Sequence, residues 1–353
     1  MCGICGIVDP NENNHRLITE MTDLLKHRGP EKAGYFHDGN VSLGHRRLAI
    51  IDLETGDQPI YNEDRTVVVI MNGEIYNFPE FKADLIQRGH HFYTNSDTEI
   101  LAHSYEEYGL EFLARLNGIF AFALYDIKDE RLILARDHFG VKPLHYWFQN
   151  EVLLFSSEYK AILVHPAVRR QVNYSALHCQ VNLRYNQSDE TLIKGIYRLP
   201  PASYLIYEKG RMSIKKYYQL PVNLNFKMTE AEAIDGIRFH LQQSVRRQLI
   251  SDVPLGVYLS GGMDSSALVA MMAAEKIRPI NTFTLGFNES TDEFDDAAVI
   301  ARQFNTNHTT TALALEPLQY YPETIWYAEE PKINLLQGFH LSEFVSHSLK
   351  VVL

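Results

Sequence analysis

Residues 255–266 read LGVYLSGGMDSS, an apolar segment followed by a Ser-Gly-Gly turn and the start of a helix. The pattern predicts a strand over Leu255–Leu259 and a helix over Ser266–Glu275. A strand at Asn281–Phe287, a helix at Asp295–Phe304 and a strand at His308–Leu313 follow. This alternation predicts an α/β domain whose parallel sheet carries helices on both faces.

The first half of the chain has a different pattern, with strands and short helices separated by turn residues. Arg65–Met71 is a β-branched run that predicts a strand ending at an Asn72-Gly73 turn. Leu116–Asp126 alternates like a half-buried strand, and Arg131–Ala135 is predicted to pair with it. The polar stretch Leu220–Thr229 is the predicted boundary between an α+β domain (2–220) and an α/β domain (230–353).

The amino-acid composition argues against several classes of protein function. The chain has 353 residues, a net charge of −11 and three cysteines. The acidic balance argues against a nucleic-acid-binding surface, and no apolar run approaches the ~20 residues needed to cross a bilayer. With no basic leader and few cysteines, a cytoplasmic protein is expected. The sequence leaves the oligomeric state open, with a homodimer as one alternative.

Cys2 is a candidate nucleophile because removal of the initiator Met would place its thiol beside its own α-amine. With an unperturbed pKa of ~7.7–8, that amine is partly neutral at pH 7 and can accept the thiol proton. Two other interpretations stay open. An N-terminal cysteine can be accidental, and Cys2 with Cys5 spells half of a zinc or redox site. Zinc ranks low because Cys179 has no nearby partner cysteine, so Cys5 is expected to pack in the core.

The Ser-Gly-Gly loop is a candidate phosphate site. Glycines let backbone N–H groups turn toward an anion, and the helix N-terminus favours negative charge. The hydroxyls come from Ser260, Ser265 and Ser266, and the carboxylate of Asp264 implies Mg²⁺ between it and the phosphates. The alternative is a plain strand–turn–helix junction with a serine cap.

Seven blocks in the first half resemble the class II glutamine amidotransferases, whose N-terminal cysteine hydrolyses glutamine. They are MCGICG (1–6), HRGP (27–30), HRRLAIID (45–52), NGEIYN (72–77), SDTE (96–99), LNGIFAF (116–122) and RDHFGVKP (136–143). The resemblance implies an αββα sandwich of the N-terminal-nucleophile hydrolase type for the first domain.

The resemblance also implies a role for individual residues. The Asn72 side chain and the Gly73 N–H would form the oxyanion hole for attack by Cys2, and Arg47 would bind the glutamine carboxylate. Glu74 and Asp97 would hold the amine side, with Leu48 and Ile51 completing the glutamine site. Without the resemblance, Arg47 and Asp97 are ordinary surface charges, and Asp97 is equally a helix cap.

The segment Ser260-Gly261-Gly262-Met263-Asp264-Ser265-Ser266 is similar to the pyrophosphate loop of the adenine-nucleotide α-hydrolase-like ATP pyrophosphatases. The resemblance implies that Leu259 and Leu285 pack against adenine or ribose, and that Asp264 meets Mg²⁺ through the phosphates.

The order of the two halves resembles glutamine-hydrolysing asparagine synthetases. The resemblance implies glutamine, ATP and aspartate, or a related carboxylate, as substrates, with ammonia from Cys2 reaching a β-aspartyl-AMP. In that family a strand like Lys350–Leu353 leads into an acid-rich glycine loop, so the chain is expected to be C-terminally incomplete. Residues 329–334 are expected to lie where the family shapes its acceptor site.

Three alternatives remain open. The first is an amidotransferase of the same architecture that acts on another carboxylate. The second is a glutaminase whose synthetase half is inactive, and the third is a non-catalytic regulatory protein on the same scaffold.

Overall fold

The computed structural model describes residues 1–10, 14–222, 227–313, 317–331 and 335–353. The chain divides into two units, Met1–Pro221 and Val222–Leu353. Part of the predicted connector (223–226) and part of the predicted acceptor segment (332–334) lie outside the described residues.

Antiparallel strands form the centre of the first unit. They are β1 (Gly3–Val8), β2 (Lys32–Asp38), β3 (Val41–Arg47), β4 (Ile60–Tyr61), β5 (Val67–Ile75), β6 (Gly118–Asp126), β7 (Arg131–Arg136), β8 (His145–Gln149), β9 (Val152–Ser156), β10 (Tyr197–Arg198), β11 (Ser203–Glu208) and β12 (Arg211–Lys216). Over the described residues they form two six-stranded sheets, with orders β10-β8-β9-β1-β3-β2 and β12-β11-β7-β6-β5-β4.

Helices cover the outer faces of these sheets. They are α1 (His15–Leu24), α2 (Phe78–Gln87), α3 (Glu99–Tyr108) and α4 (Tyr159–Ile162), with a 3-10 helix at Gly109–Arg115, and a further helix, α5 (Tyr174–Leu183), follows along the chain. One apolar cluster joins the inner faces of the two sheets. A second packs β5 and β6 against α2 and α3, and a third packs β1 and β9 against α1 and α4. The predicted αββα layering is therefore confirmed.

One local prediction is wrong. Asn72 and Gly73 do not form a turn; they lie inside β5, opposite Ala121 and Phe120 of β6. Gly73 has φ of +150°, and a Cβ there would lie 2.2 Å from the carbonyl oxygen of Ile119. Glycine is required at this position because β6 approaches closely, and not because the chain reverses direction.

The second unit contains parallel strands alternating with helices. The strands are β13 (Leu255–Tyr258), β14 (Asn281–Gly286), β15 (Asn307–Ala312) and β16 (Val351–Val352). The helices are α6 (Glu230–Gln248), α7 (Met263–Ala274), α8 (Phe294–Phe304), α9 (Pro317–Ala328) and α10 (Leu335–Ser346). Within the described ranges the sheet has four strands in the order β15-β14-β13-β16, and all its pairings are parallel. The predicted α/β character is confirmed.

The direction of sheet growth reverses at β13. The chain adds β14 and then β15 on one side of β13, and β16 later pairs on its other side. Ligands of open α/β sheets bind outside the carboxyl ends of the strands at such a reversal. The loop that follows β13 is the Ser-Gly-Gly loop, so the topology alone marks it as a binding position.

Candidate active site

A pocket opens in the first unit where the ends of β3 and β5 meet the start of β1. It encloses about 500 Å³, counting the space open to solvent at its mouth. Its walls include every residue that the resemblance assigned to glutamine, namely Cys2, Arg47, Leu48, Ile51, Asn72, Gly73, Glu74 and Asp97. The pocket thus brings together positions that lie up to 95 residues apart in the chain.

Strand register places Cys2 at the pocket. Gly3 pairs with Arg46 across β1 and β3, so Cys2 lies beside the end of β3. The backbone N–H of Leu48 donates to the Cys2 Sγ at 3.4 Å. Burial raises the pKa of the Cys2 thiol, while the Leu48 contact, the chain N-terminus and Arg47 act in the opposite direction. A thiol with a raised pKa needs a base beside it to become a nucleophile.

Cys5 has different surroundings from Cys2. It is fully buried in the cluster beneath α1, with its Sγ 3.3 Å from the Thr22 hydroxyl. Burial raises its pKa to about 12, which keeps the thiol neutral. These contacts fit the expected packing role better than a shared zinc half-site.

Asn72 presents an amide to the pocket. Its side chain is fully buried, and neither amide atom has a hydrogen-bond partner among the described residues. A buried amide without partners is costly, so it indicates a group that is paired only when a ligand is present. Together with Gly73, whose φ of +150° a glycine adopts without strain, Asn72 suits a site for a developing oxyanion.

Two carboxyl groups lie in the same pocket. Asp97 accepts the N–H of Ile75 at 2.8 Å, and burial raises its pKa to about 7, with the neighbouring Glu74 adding to the rise. Burial also raises the pKa of Glu74, against the charge of Lys142. Asp97 is buried and Glu74 is half-buried, and two carboxyls with raised pKa values favour a bound cation, which an α-ammonium group supplies. Asp97 is not the cap of α3, because Thr98 is the residue at that position.

Arg47 is held at the wall of the pocket and is not the surface charge that its type suggests. Its guanidinium bonds Asp57 at 2.8 Å and also donates to the backbone carbonyl of Asp52. Only about 6% of the residue is exposed. These contacts fix the orientation of a planar fork that matches a carboxylate.

The sequence interpretation missed other residues of the pocket. Lys142 and Gln58 line it, as do Ser96, Thr98 and Met1. Gln58 accepts the Met71 N–H at 2.6 Å and donates to the Thr98 hydroxyl at 3.2 Å. Lys142 lies in the RDHFGVKP block (136–143) and Gln58 lies outside the seven blocks, and no pattern in the sequence gave either of them a role.

A buried ion-pair network lies behind Cys2. Glu158 bonds Arg28 at 2.7 Å, Lys160 at 2.7 Å and His27 at 3.0 Å. Burial alone would raise the pKa of Glu158, but these three partners outweigh it and lower the pKa to about 2. The carboxylate is therefore charged at neutral pH, and the network is a rigid support for the start of β1.

The Ser-Gly-Gly loop of the second unit differs from its prediction at one point. Helix α7 begins at Met263 and not at Ser266, because Gly262 has an extended backbone and is the residue that caps the helix. Asp264, Ser265 and Ser266 therefore belong to the first turn of α7. Their position near free N–H groups at the helix N-terminus suits an anion.

Hydrogen bonds shape the loop into a tight turn. The Ser260 and Ser265 hydroxyls lie 3.0 Å apart, and the Gly262 N–H donates to Ser260 at 3.3 Å. Gly261 has φ of +79°, and a Cβ there would lie 2.5 Å from the Cβ of Asp296. The hydroxyl of Ser266 is buried without a hydrogen-bond partner within the described chain. This orphaned donor fits a phosphate oxygen.

The other predicted nucleotide residues lie close to this loop. Leu259 is buried, and its N–H donates to Phe283 of β14 at 2.9 Å. Leu285 is half-buried near the end of β14. The carboxylate of Asp264 is exposed in the first turn of α7, where it can share a cation with bound phosphates.

Comparison with known proteins now identifies the family. Residues 1–218 match the family model of the glutamine amidotransferase domain, which is more than half of the chain. The chain belongs to that family. Residues 236–353 match the model of asparagine synthase. The two matches in this order confirm the resemblance to glutamine-hydrolysing asparagine synthetases.

The curated proteins that this chain resembles include glutamine-hydrolysing asparagine synthetases. Asparagine synthetase [glutamine-hydrolyzing] 3 of Bacillus subtilis is 38% identical over 311 residues, covering 84% of this chain and 50% of the relative. Asparagine synthetase [glutamine-hydrolyzing] 1 of the same organism is 34% identical over 343 residues, covering 94% of this chain and 53% of the relative. The chain thus spans about half the length of these relatives.

Among solved structures, glutamine phosphoribosylpyrophosphate amidotransferase of B. subtilis aligns with 90% of this chain and 92% of its own, at a TM-score of 0.48 and 16% identity. Across the described ranges, no helix has both the length and the apolar character to cross a membrane.

Proposed function

We propose that this chain carries the glutaminase half and the nucleotide-binding start of a glutamine-dependent asparagine synthetase. Residues 2–220 hydrolyse glutamine, and residues 230–353 bind ATP. The observation that supports this most directly is the pocket around Cys2, whose walls include all eight residues assigned to glutamine.

Hydrolysis begins with Cys2. After removal of Met1, the free α-amine takes the thiol proton, and the thiolate attacks the side-chain carbonyl carbon of glutamine. The Asn72 amide and the Gly73 N–H stabilise the oxyanion of the tetrahedral intermediate. The proton returns to the departing nitrogen, ammonia leaves, and water hydrolyses the γ-glutamyl thioester to release glutamate and regenerate the thiol.

The pocket walls select an amino acid. Arg47, held by Asp57, bonds the α-carboxylate of glutamine, and Glu74 with Asp97 bonds its α-ammonium group. Binding of the ammonium group lowers the pKa of both carboxyls, because it places a positive charge beside the charged form of each.

The second unit binds ATP through the loop after β13. The helix N-terminus of α7 and the hydroxyls of Ser260, Ser265 and Ser266 hold the phosphates, while Leu259 and Leu285 contact adenine or ribose. Mg²⁺ held by the phosphates and Asp264 would neutralise charge on the pyrophosphate leaving group.

The substrate that receives ammonia is aspartate, activated as β-aspartyl-AMP, and the products are asparagine, AMP, pyrophosphate and glutamate. The homodimer and the cytoplasmic location stay predictions.

The experiment that tests this proposal compares glutamine and ammonium salts as sources of nitrogen for asparagine formation. In the natural full-length protein, Cys2→Ala should abolish asparagine formation from glutamine and leave formation from ammonium salts unchanged. Cys179→Ser, which changes a half-buried cysteine outside the pocket, is the control. Equal loss of both activities in a folded Cys2→Ala protein would contradict the division of labour. Glutamate release without any ATP-dependent amide formation in the wild type would instead favour the glutaminase with an inactive synthetase half.

A further inference from the structure

Four potential metal ligands converge on the first unit, away from the residues that line the glutamine pocket. They are Glu63 in the turn between β4 and β5, His90 in the segment after α2, and His103 and Glu106 on α3. One ligand atom from each lies within 4.8 Å of the others. Nothing in the motif blocks of the sequence gives these four residues a shared role.

Glu63 joins the two imidazoles. One of its carboxylate oxygens lies 3.3 Å from Nδ1 of His90, and the other lies 3.2 Å from Nδ1 of His103. The nearest oxygen of Glu106 is 3.8 Å from the same His103 nitrogen. Donors that bind Zn²⁺ tetrahedrally at about 2 Å lie about 3.3 Å from one another. Glu106, whose carboxylate lies farther from His103 than that of Glu63, is exposed, so it is the side chain that would move to complete the set.

His103 is the residue that points to a ligand. It is fully buried, and its Nε2 lies 3.4 Å from the carboxylate of Glu99. Glu99 in turn accepts the N–H groups of Tyr93 and Thr94 at 2.8 and 2.7 Å. These contacts fix the ring with Nε2 as the donor, which leaves Nδ1 facing the Glu63 and Glu106 oxygens at 3.2 and 3.8 Å without a well-aligned hydrogen bond to either in the described structure.

A lone pair on Nδ1 that faces two carboxylates is repulsive unless a cation lies between them. A carboxylate bonded to the outer nitrogen of an imidazole is also the arrangement that orients histidine ligands of metals. The fourth nearby carboxylate, Glu107, is paired with Arg88 at 2.8 Å and lies 3.6 Å from Nε2 of His90.

We propose that Glu63, His90, His103 and Glu106 form a Zn²⁺ site that ties α3 to the β4–β5 turn and to the segment after α2. Two imidazole nitrogens and two carboxylates suit a borderline transition-metal ion, whereas Mg²⁺ and Ca²⁺ prefer ligand sets made of oxygen alone. The two carboxylate charges balance the charge of the ion. Because α3 begins two residues after Asp97, the ion would also stabilise the segment that carries one wall of the glutamine pocket.

A proton on Nδ1 of His103 competes with the metal ion for this position. Burial would lower the pKa of His103, but Glu106, Glu99 and Glu63 outweigh it and raise the pKa to about 9. An imidazolium surrounded by carboxylates would then replace the metal, so the experiment must distinguish the two.

The experiment is a zinc titration of the 353-residue chain in a Cys2→Ala background, which removes the nucleophilic thiol as a competing ligand. After treatment with a chelator and desalting, zinc is added against a chromophoric indicator, and the melting temperature is measured with and without one equivalent. The chain should bind one zinc ion and melt at a higher temperature with it. His90→Gln and Glu106→Gln should each weaken binding at least ~10-fold and remove the shift.

Matched controls lie next to the cluster. His91→Gln changes the adjacent histidine, whose ring nitrogen bonds the Gly89 carbonyl, and Glu111→Gln changes an exposed carboxylate beyond α3. Both should bind zinc like the parent chain. Co²⁺ substitution should give a tetrahedral visible spectrum without the band of a thiolate ligand. Absence of stoichiometric binding, or equal binding by His90→Gln and Glu106→Gln, would overturn the proposal and leave His103 as a buried imidazolium.

Discussion

The guanidinium of Arg28 lies 2.7 Å from the buried carboxylate of Glu158 and donates through Nε to the backbone carbonyl of Cys2 at 2.9 Å. An ion pair between residues that are far apart in the sequence therefore holds the backbone of the candidate nucleophile. Arg28 is a positioning residue, because it acts on the reaction through Cys2.

The first prediction concerns this support. Arg28→Lys keeps a positive charge but loses the fork that reaches Glu158 and Cys2 together. Displacement of a nucleophile by about 1 Å costs about 10²-fold, so kcat for glutamine hydrolysis should fall by roughly that factor with KM nearly unchanged. Arg16→Lys, at an exposed pair with Glu20, should have no effect. A rise in KM with normal kcat would contradict a positioning role.

The second prediction tests the oxyanion hole. Asn72→Ala removes a buried amide that faces the pocket without a partner among the described residues. Loss of one such donor costs about 10²–10³ in kcat. Steady-state glutaminase kinetics measure the loss, and intact thermal stability shows that the fold survives. Because the free protein leaves this amide unpaired, stability should not fall with activity; a variant that unfolds would assign Asn72 to structure instead.

The third prediction is a pH dependence of glutamine binding. Asp97, with a pKa of about 7 in the free pocket, is mostly neutral at pH 6 and mostly charged at pH 8. Only the charged form pairs with the α-ammonium of glutamine. KM should therefore be higher at pH 6 than at pH 8, and Asp97→Asn should show a high KM at both. A wild-type KM that does not change with pH would rule out this role.

The fourth prediction concerns the nucleotide loop. Asp264→Asn removes an exposed carboxylate that we propose meets the phosphates of ATP through Mg²⁺. In the full-length protein, AMP formation from ATP should fall at least ~10-fold, with partial recovery at high Mg²⁺, while glutamine hydrolysis continues. Asp235→Asn, on the exposed face of α6, is the control. Unchanged AMP formation would exclude Asp264 from the metal site.

Much of the fold follows from local pattern. The pattern located β6 and β7 to within two residues. The expectation of a half-buried β6 is wrong, because its two faces pack into two different apolar clusters and Phe120–Tyr125 are all buried. The turn predicted at Asn72-Gly73 was wrong because the same dipeptide suits both a turn and a strand position with positive φ. The choice depends on β6, which is more than 40 residues away in the sequence.

The site was predictable only through its family resemblance. The chemical types of Arg47 and Asp97 do not distinguish a pocket wall from a surface, because their burial depends on strands from both sheets. Lys142 and Gln58 were missed for that reason. His90 and His103 lack the spacing of a local metal motif, and Glu63 joins them only through the fold.

The most direct measurement is covalent labelling of Cys2. The purified chain is treated with a glutamine analogue that has an electrophilic carbon in place of the amide, and both the intact mass and the labelled peptide are determined by mass spectrometry. We expect one label per chain, on a peptide that begins at Cys2 without Met1, and glutamine should protect against it. Labelling of Cys179 alone, or glutamine hydrolysis by a chain that retains Met1, would contradict Cys2 as the N-terminal nucleophile.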